Sequence, residues 1–202
     1  MKIIENIEQG SPEWLQLRCG VVTASNFTAV LSKGTTRKTY LMKLVAERLT
    51  GEVPESFSNK AMQWGTDHEP MARANYELET GACVNEIAFI AVDDWVGVSP
   101  DGLIGDDGLI EIKCPNTTTH IETFLSNKMP TKHKPQVQGQ LWASGRQWCD
   151  FVSYDPRLPG KELFISRVVR DDDYIAELEA GINKFVDEMK TIIEKINGKQ
   201  AA

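Results

Sequence analysis

The chain has 202 residues, of which 41% are hydrophobic, so it is long and apolar enough for one domain with a sizeable core. No apolar run approaches the roughly 18 residues that span a membrane, and the amino terminus is no secretory signal, so we expect a cytoplasmic protein without a membrane partner. The net charge of −7 argues against a generally basic nucleic-acid binder, although local basic patches can still bind DNA. The four cysteines are widely spaced, which argues against a zinc or iron–sulfur cluster.

The first half of the chain is predicted to be mainly helical. A helix begins well at Ser11-Pro12-Glu13, because these residues supply an N-cap, a first-turn proline and an acid near the positive helix end. Pro70 is expected to interrupt the last helix of this half, since proline removes a backbone donor and disfavours helical geometry in the residue before it. The predicted helices span about residues 11–20, 23–31, 39–50 and 59–80.

The second half is predicted to combine strands with helices and to end in a long amphipathic helix at about 172–196. Apolar segments predict strands near 84–92, 95–99, 102–105, 108–113, 149–154 and 162–169, and helices at about 117–127 and 134–145. This order indicates an α/β (α+β) fold in which helices flank a central mixed β-sheet, with residues 1–202 forming one domain.

The segment Ser99–Pro115, which reads SPDGLIGDDGLIEIKCP, is the part of the chain richest in chemistry. Its turn, Gly105-Asp106-Asp107-Gly108, contains the residues that form tight hairpins. Asp101 lies five residues before the centre of this turn and Glu111 five after it, so a symmetric hairpin places the two carboxylates opposite each other. Lys113 shares a face with Glu111, because side chains alternate along a strand.

Three converging charged groups are costly unless a cation or a reacting phosphate accompanies them. Mg²⁺ takes oxygen ligands, commonly one or two carboxylates completed by phosphate and water, so Asp101, Glu111 and the Ile112 carbonyl form a candidate site. Lys113 would orient or deprotonate a bound water, or neutralise charge on a phosphate. The same residues also suit a surface hairpin with polar decoration, so this pattern alone indicates only a generic metal–phosphate site.

Short motifs before and after the hairpin, taken in chain order, form a joint pattern that is specific although no single motif is. They are Trp14 with Leu17-Arg18-x-Gly20-Val21-Val22-Thr23-Ala24-Ser25, Trp64-Gly65 with Glu69 and Ala72-Arg73, Ser99-Pro100-Asp101-Gly102-Leu103, Glu111-Ile112-Lys113-Cys114-Pro115, Gln136-Val137-Gln138, and Tyr154-Asp155-Pro156-Arg157. With this pattern the chain resembles, over nearly its whole length, the phage lambda-type exonucleases. These are also called YqaJ-like viral recombinase nucleases and lie within the PD-(D/E)xK superfamily. The resemblance implies a restriction-endonuclease-like nuclease core.

At the cutting centre, the resemblance implies that Asp101 and Glu111 bind metal together with the Ile112 carbonyl. Glu69 matches a further acidic residue near a second metal site, and Lys113 matches the catalytic lysine. Because Pro70 directly follows Glu69, we expect Glu69 to lie at a kink, which weakens its assignment as a ligand.

The resemblance also implies how DNA is held. Gln136 would help to hold the attacking water or the scissile phosphate. Arg18 and Ser25 match a pocket that grips a 5′-phosphate, and Ser99 would contact the DNA backbone. Met62 matches an apolar residue that wedges the strands apart, and in an unbroken helix it would share a face with the acid seven residues later.

One departure from the family pattern follows Cys114-Pro115, where the family can offer an arginine to the DNA end. Here the segment is Asn116–His120, so end recognition is expected to be weaker or built differently. The three histidines, His68, His120 and His133, have no metal-ligand spacing and are predicted to be surface or hydrogen-bonding residues. A phosphate contact is the alternative for His133.

By resemblance, the expected function is a 5′→3′ double-strand DNA exonuclease of the two-metal type, dependent on Mg²⁺ with Mn²⁺ as a substitute. It would act from 5′-phosphorylated ends, release mononucleotides and leave a 3′ single strand. A single-strand annealing protein would load on that strand for phage-type recombination, and the enzyme would form a ring-shaped homotrimer. Two alternatives stay open: a restriction or repair endonuclease of the same fold, which would not depend on ends, and a non-catalytic DNA-end-binding module.

Overall fold

Two mixed β-sheets organise residues 1–53 and 60–200, the part of the chain that the computed structural model describes. The strands are β1 (Lys2–Ile4), β2 (Val22–Thr23), β3 (Val84–Asn85), β4 (Phe89–Ala91), β5 (Val96–Val98), β6 (Gly102–Ile104), β7 (Gly108–Lys113), β8 (Trp148–Tyr154) and β9 (Leu163–Val169). The helices are α1 (Pro12–Leu17), α2 (Phe27–Leu31), α3 (Thr35–Thr50), α4 (Lys60–Thr80), α5 (Thr117–Ser126), α6 (Lys134–Ser144) and α7 (Asp172–Gln200). The predicted mixed α/β class is confirmed.

The larger sheet has the order β3-β6-β7-β8-β9, in which β7 and β8 are parallel and the other neighbours antiparallel. Strands β6 and β7 form the predicted hairpin, and its register, with Gly102 opposite Ile110, is symmetric about Asp106. Asp101, directly before β6, donates its N–H to the Ile110 carbonyl at 3.2 Å, and its carboxylate accepts the N–H of Ile112. Asp101 therefore lies beside Glu111 at the open end of the hairpin.

The smaller sheet has the order β1-β4-β5-β2, and its only parallel pair is β2 with β5. The single central sheet expected from the sequence is thus divided in two, because the predicted strand at 84–92 is broken. Its first part, β3, pairs with β6 of the larger sheet, and its second part, β4, pairs with β1 and β5 of the smaller one. Strand β1 is an element that the sequence did not predict.

Helices α2, α3, α6 and α7 pack together in the largest cluster of buried side chains. The predicted terminal helix is confirmed as α7, whose apolar stripe is buried at Ile175, Leu178, Ile182, Phe185 and Met189. Each such side chain contributes about 1.5–3 kcal/mol relative to exposure to water. This packing fixes α3 and α6 behind the strands that carry the candidate site. Among the described residues, no helix combines the length and the apolarity needed to cross a membrane.

Helix α4 runs without interruption through Pro70, so the expectation that proline breaks it is wrong. A proline inside a helix costs about 3 kcal/mol locally. Residues of α4 that come after Pro70 make tertiary contacts that anchor the helix. Ala72 and Tyr76 are buried, and the Tyr76 hydroxyl donates a hydrogen bond of 2.7 Å to the carboxylate of Asp150 in β8. The predicted first residue of this helix, 59, lies outside the described residues.

Two other helices start differently from the prediction. The segment predicted as a helix from Thr23 begins as strand β2 and a 3₁₀ turn at Ala24–Asn26, and only then becomes α2. Helix α3 begins four residues earlier than predicted, at Thr35, and ends as predicted at Gly51 in the left-handed conformation. Pairing of β2 with β5 explains the first difference, because it holds Thr23 extended.

Candidate active site

The β6–β7 hairpin brings an acid pair together at the carboxyl end of β7. Glu111 is fully buried, and both of its oxygens are held by side-chain donors. Gln136 donates to Oε1 at 2.5 Å and Gln140 donates to Oε2 at 2.6 Å, both from α6. The Lys113 ammonium also contacts Oε1. Asp101 is held differently, because its Oδ2 accepts the N–H of Ile112 at 2.5 Å.

Burial and the neighbouring charged groups shift the pKa values of Asp101 and Lys113. Burial raises the pKa of Asp101 well above its usual range, and Glu111 raises it further against the opposing effect of Lys113. Burial alone would lower the pKa of Lys113, but Glu111 and Asp101 outweigh it and raise that pKa above its ordinary value. The lysine is therefore held as a cation within a site that still carries more negative than positive charge.

The donor set at the hairpin fits a hard divalent cation. Asp101 and Glu111 offer carboxylate oxygens, and the carbonyl of Ile112 points to the same edge of β7 as the N–H that Asp101 accepts. Bringing in a cation would relieve the repulsion that raises the pKa of Asp101. Within residues 1–53 and 60–200, no three His, Cys, Asp or Glu side chains are grouped to hold a metal ion by themselves. Water or substrate oxygens would therefore have to complete the ligand shell.

Glu69 lies on α4 beside the acid pair but is paired with an arginine. Its carboxylate accepts from Arg73 at 2.8 Å, and Arg73 also contacts Glu86 at 2.7 Å. Burial raises the pKa of Glu69, Arg73 lowers it, and Glu111 raises it. Since α4 continues through Pro70, Glu69 lies within the helix. The charges of Glu111 and Lys113 act on Glu69. Its role as a metal ligand stays a prediction.

An open cleft of about 560 Å³ runs beside the acid pair. Met62, whose side chain is 55% exposed, lines this cleft together with Glu69. The prediction that the two residues share one face of a helix is thus confirmed, whereas the wedge role of Met62 stays a prediction. Other residues that line the cleft are Trp14, Lys113, Lys132 and His133.

A second polar pocket surrounds Arg18, directly after α1. The guanidinium is largely buried and lies 4.0 Å over the ring of Trp14. It donates to the hydroxyl of Ser99 at 3.0 Å and to the hydroxyls of Thr23 and Ser25 at 3.4 Å each. No carboxylate forms an ion pair with Arg18 among the residues that the structure describes, and burial lowers its pKa to about 10. The predicted trio of Arg18, Ser25 and Ser99 is thereby brought together.

The two sites share walls. Trp14 lines the cleft and also stacks on Arg18, so the same ring borders both sites. Ser99 binds Arg18 and stands two residues before Asp101, on the segment that leads into β6. The Cα atoms of Ser99 and Asp101 can therefore lie at most about 7 Å apart.

Sequence reasoning missed Gln140, the second amide on Glu111. It lies one helical turn after Gln136, and the i to i+4 spacing on a predicted helix is the signal that could have indicated it. Its Oε1 is buried and has no hydrogen-bond partner in the described part of the chain. Two amides from one face of α6 therefore hold both oxygens of a single carboxylate.

The predicted histidines fall in three different environments. His120 is buried and hydrogen-bonded, with Nδ1 at 2.8 Å from Ser153 and Nε2 at 2.8 Å from the Lys161 carbonyl, so the hydrogen-bonding alternative is confirmed for it. His68 stacks on the preceding turn of α4, with its Nδ1 2.9 Å from the Trp64 carbonyl. His133 lines the cleft.

The segment Asn116–His120, which lacks the arginine expected from the family pattern, forms the N-cap and first turn of α5. An arginine does approach it from another loop. Arg157 lies 4.1 Å over the ring of Trp64 and donates to the Pro115 carbonyl at 3.3 Å. Its guanidinium is also paired with Asp155, with Nε 2.7 Å from Oδ1.

Comparison with known proteins agrees with the geometry. A model of the YqaJ-like viral recombinase domain matches residues 13–147. The alkaline exonuclease LHK-Exo from Laribacter hongkongensis is 47% identical, with a TM-score of 0.89 over 95% of this chain and 98% of the other. A structure of LHK-Exo in complex with dAMP has the same identity and coverage and a TM-score of 0.90.

A phage-related exonuclease from Haemophilus somnus 129PT shares the fold at 15% identity, with a TM-score of 0.68 over 89% of this chain and 96% of the other. A search of curated protein sequences found no match.

Proposed function

The chain belongs to the YqaJ-like viral recombinase family and is a DNA exonuclease, and we propose that it digests one strand of duplex DNA in the 5′→3′ direction from 5′-phosphorylated ends. The reaction depends on Mg²⁺, with Mn²⁺ as a substitute. Its products are mononucleotides and a 3′ single strand.

The observation that carries this proposal is that the Arg18 pocket lies next to the hairpin that holds the acids. Arg18 is a largely buried cation that contacts hydroxyls and, among the described residues, no carboxylate in an ion pair. Such a group suits an incoming phosphate, since a buried charge is costly until it is paired. Its partner Ser99 stands two positions before Asp101 in the chain, so a terminal phosphate in this pocket would hold the strand end close to the acids.

The residues at the hairpin then have distinct tasks. Asp101, Glu111 and the Ile112 carbonyl would hold the divalent cation, with Glu69 near a second one. The chemistry that such a cation supplies is neutralisation of phosphate charge and activation of water. Gln136 fixes Glu111 and orients the water or the scissile phosphate, while Lys113 places a positive charge where negative charge develops.

The assembly and its partners follow from the same family relation. Residues 1–202 act as one nuclease domain, and three copies form a ring through which duplex DNA threads while Met62 wedges the strands apart. A single-strand annealing protein loads on the 3′ strand for recombination in the cytoplasm. Light scattering tests the ring, because a trimer has three times the 22.6 kDa mass of the chain.

A time course on three DNA substrates tests the proposed activity. Linear duplexes with 5′-phosphate or 5′-hydroxyl ends are compared with a closed circle, each with and without Mg²⁺. We expect the phosphorylated linear duplex to be digested fastest, the circle to persist, and digestion to need the cation. Equal cutting of circular and linear DNA would instead identify an endonuclease of the same fold. Binding of ends without cutting would identify a non-catalytic module.

A further inference from the structure

Helix α3 holds the turn that carries Arg18 at three points. The Glu47 carboxylate accepts the N–H of Gly20 at 2.7 Å, and Arg48 Nε donates to the carbonyl of the same residue at 2.8 Å. Seven residues earlier on the helix, the Tyr40 hydroxyl accepts the N–H of Thr23 at 3.3 Å. Both polar groups of one residue, Gly20, are therefore bound by consecutive side chains of α3.

Glu47 is an unusual residue to find in this position. It is only 4% exposed, and its ion pair with Lys43 is long, at 3.6 Å. A buried carboxylate is costly unless hydrogen bonds satisfy it, and a bond from a backbone N–H to an ionised acceptor is stronger than a neutral one. The 2.7 Å bond to Gly20 is thus the main polar interaction that compensates the burial of this carboxylate.

The turn is shaped to fit against α3. Gly20 has a φ of +67°, a conformation that side chains rarely adopt, and a Cβ built there would lie 2.6 Å from Cγ of Arg48. Glycine at this position therefore allows the side chain of Arg48 to approach the turn this closely. The Arg18 carbonyl, inside the same turn, accepts the N–H of Val21 at 3.1 Å. Displacement of Gly20 would consequently move the backbone from which the Arg18 side chain projects.

We propose that Glu47 is a positioning residue for recognition of the 5′-phosphate. By fixing Gly20, it aims the Arg18 guanidinium at the place where Ser25 and Ser99 also converge. This inference rests on the proposed function of the Arg18 pocket and adds a determinant of end specificity that lies outside that pocket. Glu47 itself contacts no substrate.

The test compares three variants by the ratio of digestion rates on 5′-phosphorylated and 5′-hydroxyl duplexes. In Glu47→Ala the ratio should fall about tenfold, through a higher KM on phosphorylated ends, since small displacements of binding groups have effects of this order or larger. Glu47→Gln keeps an acceptor for the Gly20 N–H and should restore most of the ratio. The matched control is Glu77→Ala, because Glu77 also accepts a backbone N–H, that of Val84 at 2.7 Å, but on α4.

The control should keep the wild-type ratio even if its melting temperature falls as much as that of Glu47→Ala. An unchanged ratio in Glu47→Ala, an equal loss in Glu47→Gln, or an equal loss in Glu77→Ala would overturn the proposal. If Glu47→Ala does not fold, Arg48→Ala serves instead, because Arg48 is only partly buried and makes the other hydrogen bond to Gly20. Loss of this bond should also lower the ratio. An unchanged ratio in that variant also overturns the proposal.

Arg18→Ala separates this inference from the proposed function. If Arg18→Ala loses the preference for phosphorylated ends while Glu47→Ala keeps it, the pocket is correct and the positioning role is wrong. If Arg18→Ala itself keeps the preference, the proposed pocket is wrong.

Discussion

The acid hairpin and the Arg18 pocket carry opposite charge imbalances. At the hairpin, the carboxylates of Asp101 and Glu111 exceed the single charge of Lys113. In the pocket, a single buried guanidinium faces the hydroxyls of Ser25 and Ser99 and forms no ion pair within the described residues. In the proposed function, each region would be completed by a ligand of the opposite sign: a divalent cation at the hairpin and a phosphate at Arg18.

The two regions also differ in how tightly their charged groups are held. Glu111 is bound through short bonds of 2.5 and 2.6 Å from two amides on one helix. Arg18 makes one bond of 3.0 Å and two of 3.4 Å, all to hydroxyls that can rotate. A guanidinium has five N–H donors, so Arg18 can turn donors towards an arriving anion. The carboxylate of Glu111 is thus held rigidly, whereas the Arg18 guanidinium keeps the capacity to donate further hydrogen bonds.

The largest effect is expected from Asp101→Asn. Activity should fall at least about a thousandfold, because loss of a group that organises transition-state charge has effects of this order. Without divalent cations the melting temperature should stay the same or rise, since the raised pKa of Asp101 means that its ionised form destabilises the fold at neutral pH. Thermal unfolding with and without Mg²⁺ measures this, because the cation should stabilise the wild-type chain but not Asp101→Asn.

The exposed Asp106 at the tip of the hairpin provides the control for that experiment. Asp106→Asn removes the same charge from the same hairpin and should retain both activity and cation-dependent stabilisation. A large fall in the melting temperature of Asp101→Asn would show that the acids support the fold, and it would remove one side of the comparison.

The next effect is expected at Arg18. Arg18→Ala should reduce digestion of 5′-phosphorylated ends about a hundredfold, and Arg18→Lys about tenfold, because lysine keeps the charge but not the planar fork that binds phosphate in two places. Initial rates at limiting DNA concentration give the measurement. If Arg18→Lys equals the wild type, charge alone suffices and the hydroxyl partners do not orient the group.

A smaller effect should follow from loss of Gln140. In Gln140→Leu, one oxygen of Glu111 loses its donor while Gln136 still binds the other, so kcat should fall about tenfold with little change in KM. Gln138→Leu is the control, because Gln138 is a buried amide of the same helix that donates to the Val169 carbonyl at 2.9 Å. Equal losses of kcat in both variants would assign Gln140 to the stability of α6.

The sequence predicted the hairpin well because its determinants are local. A turn of known type and strict alternation set the register, and the register alone placed Asp101 beside Glu111. The Arg18 pocket has no such signal. Arg18 and Ser99 are 81 residues apart, and only resemblance to a family brought them together before the fold was known.

The failures of prediction have the same physical origin. Pro70 was expected to break α4, but contacts remote in sequence, such as that of Tyr76 with Asp150, hold the helix together. The division into two sheets depends on β1, whose partner β4 lies more than eighty residues later. Local propensity therefore predicts most elements, and long-range pairing decides how they are grouped and which side chains meet.

The smallest effect is expected at His133, which lines the cleft together with Lys113 and Lys132. Burial, together with the positive charges of Lys113 and Lys132, lowers the pKa of His133 to about 4. The unfolded chain binds this proton near pH 6.5, so the stability contributed by the neutral ring is present above that pH and is lost as the pH falls towards 4. His133→Gln should lose less stability in this window.

A titration of the three histidines by NMR measures the pKa of His133 directly. A value well below 6.5 would agree with burial of the ring and with positive charge from Lys113 and Lys132 at this position in the cleft. A value at or above 6.5 would mean that the carboxylates dominate beyond Lys113. The negative region around Asp101 and Glu111 would then extend across the cleft towards Arg18.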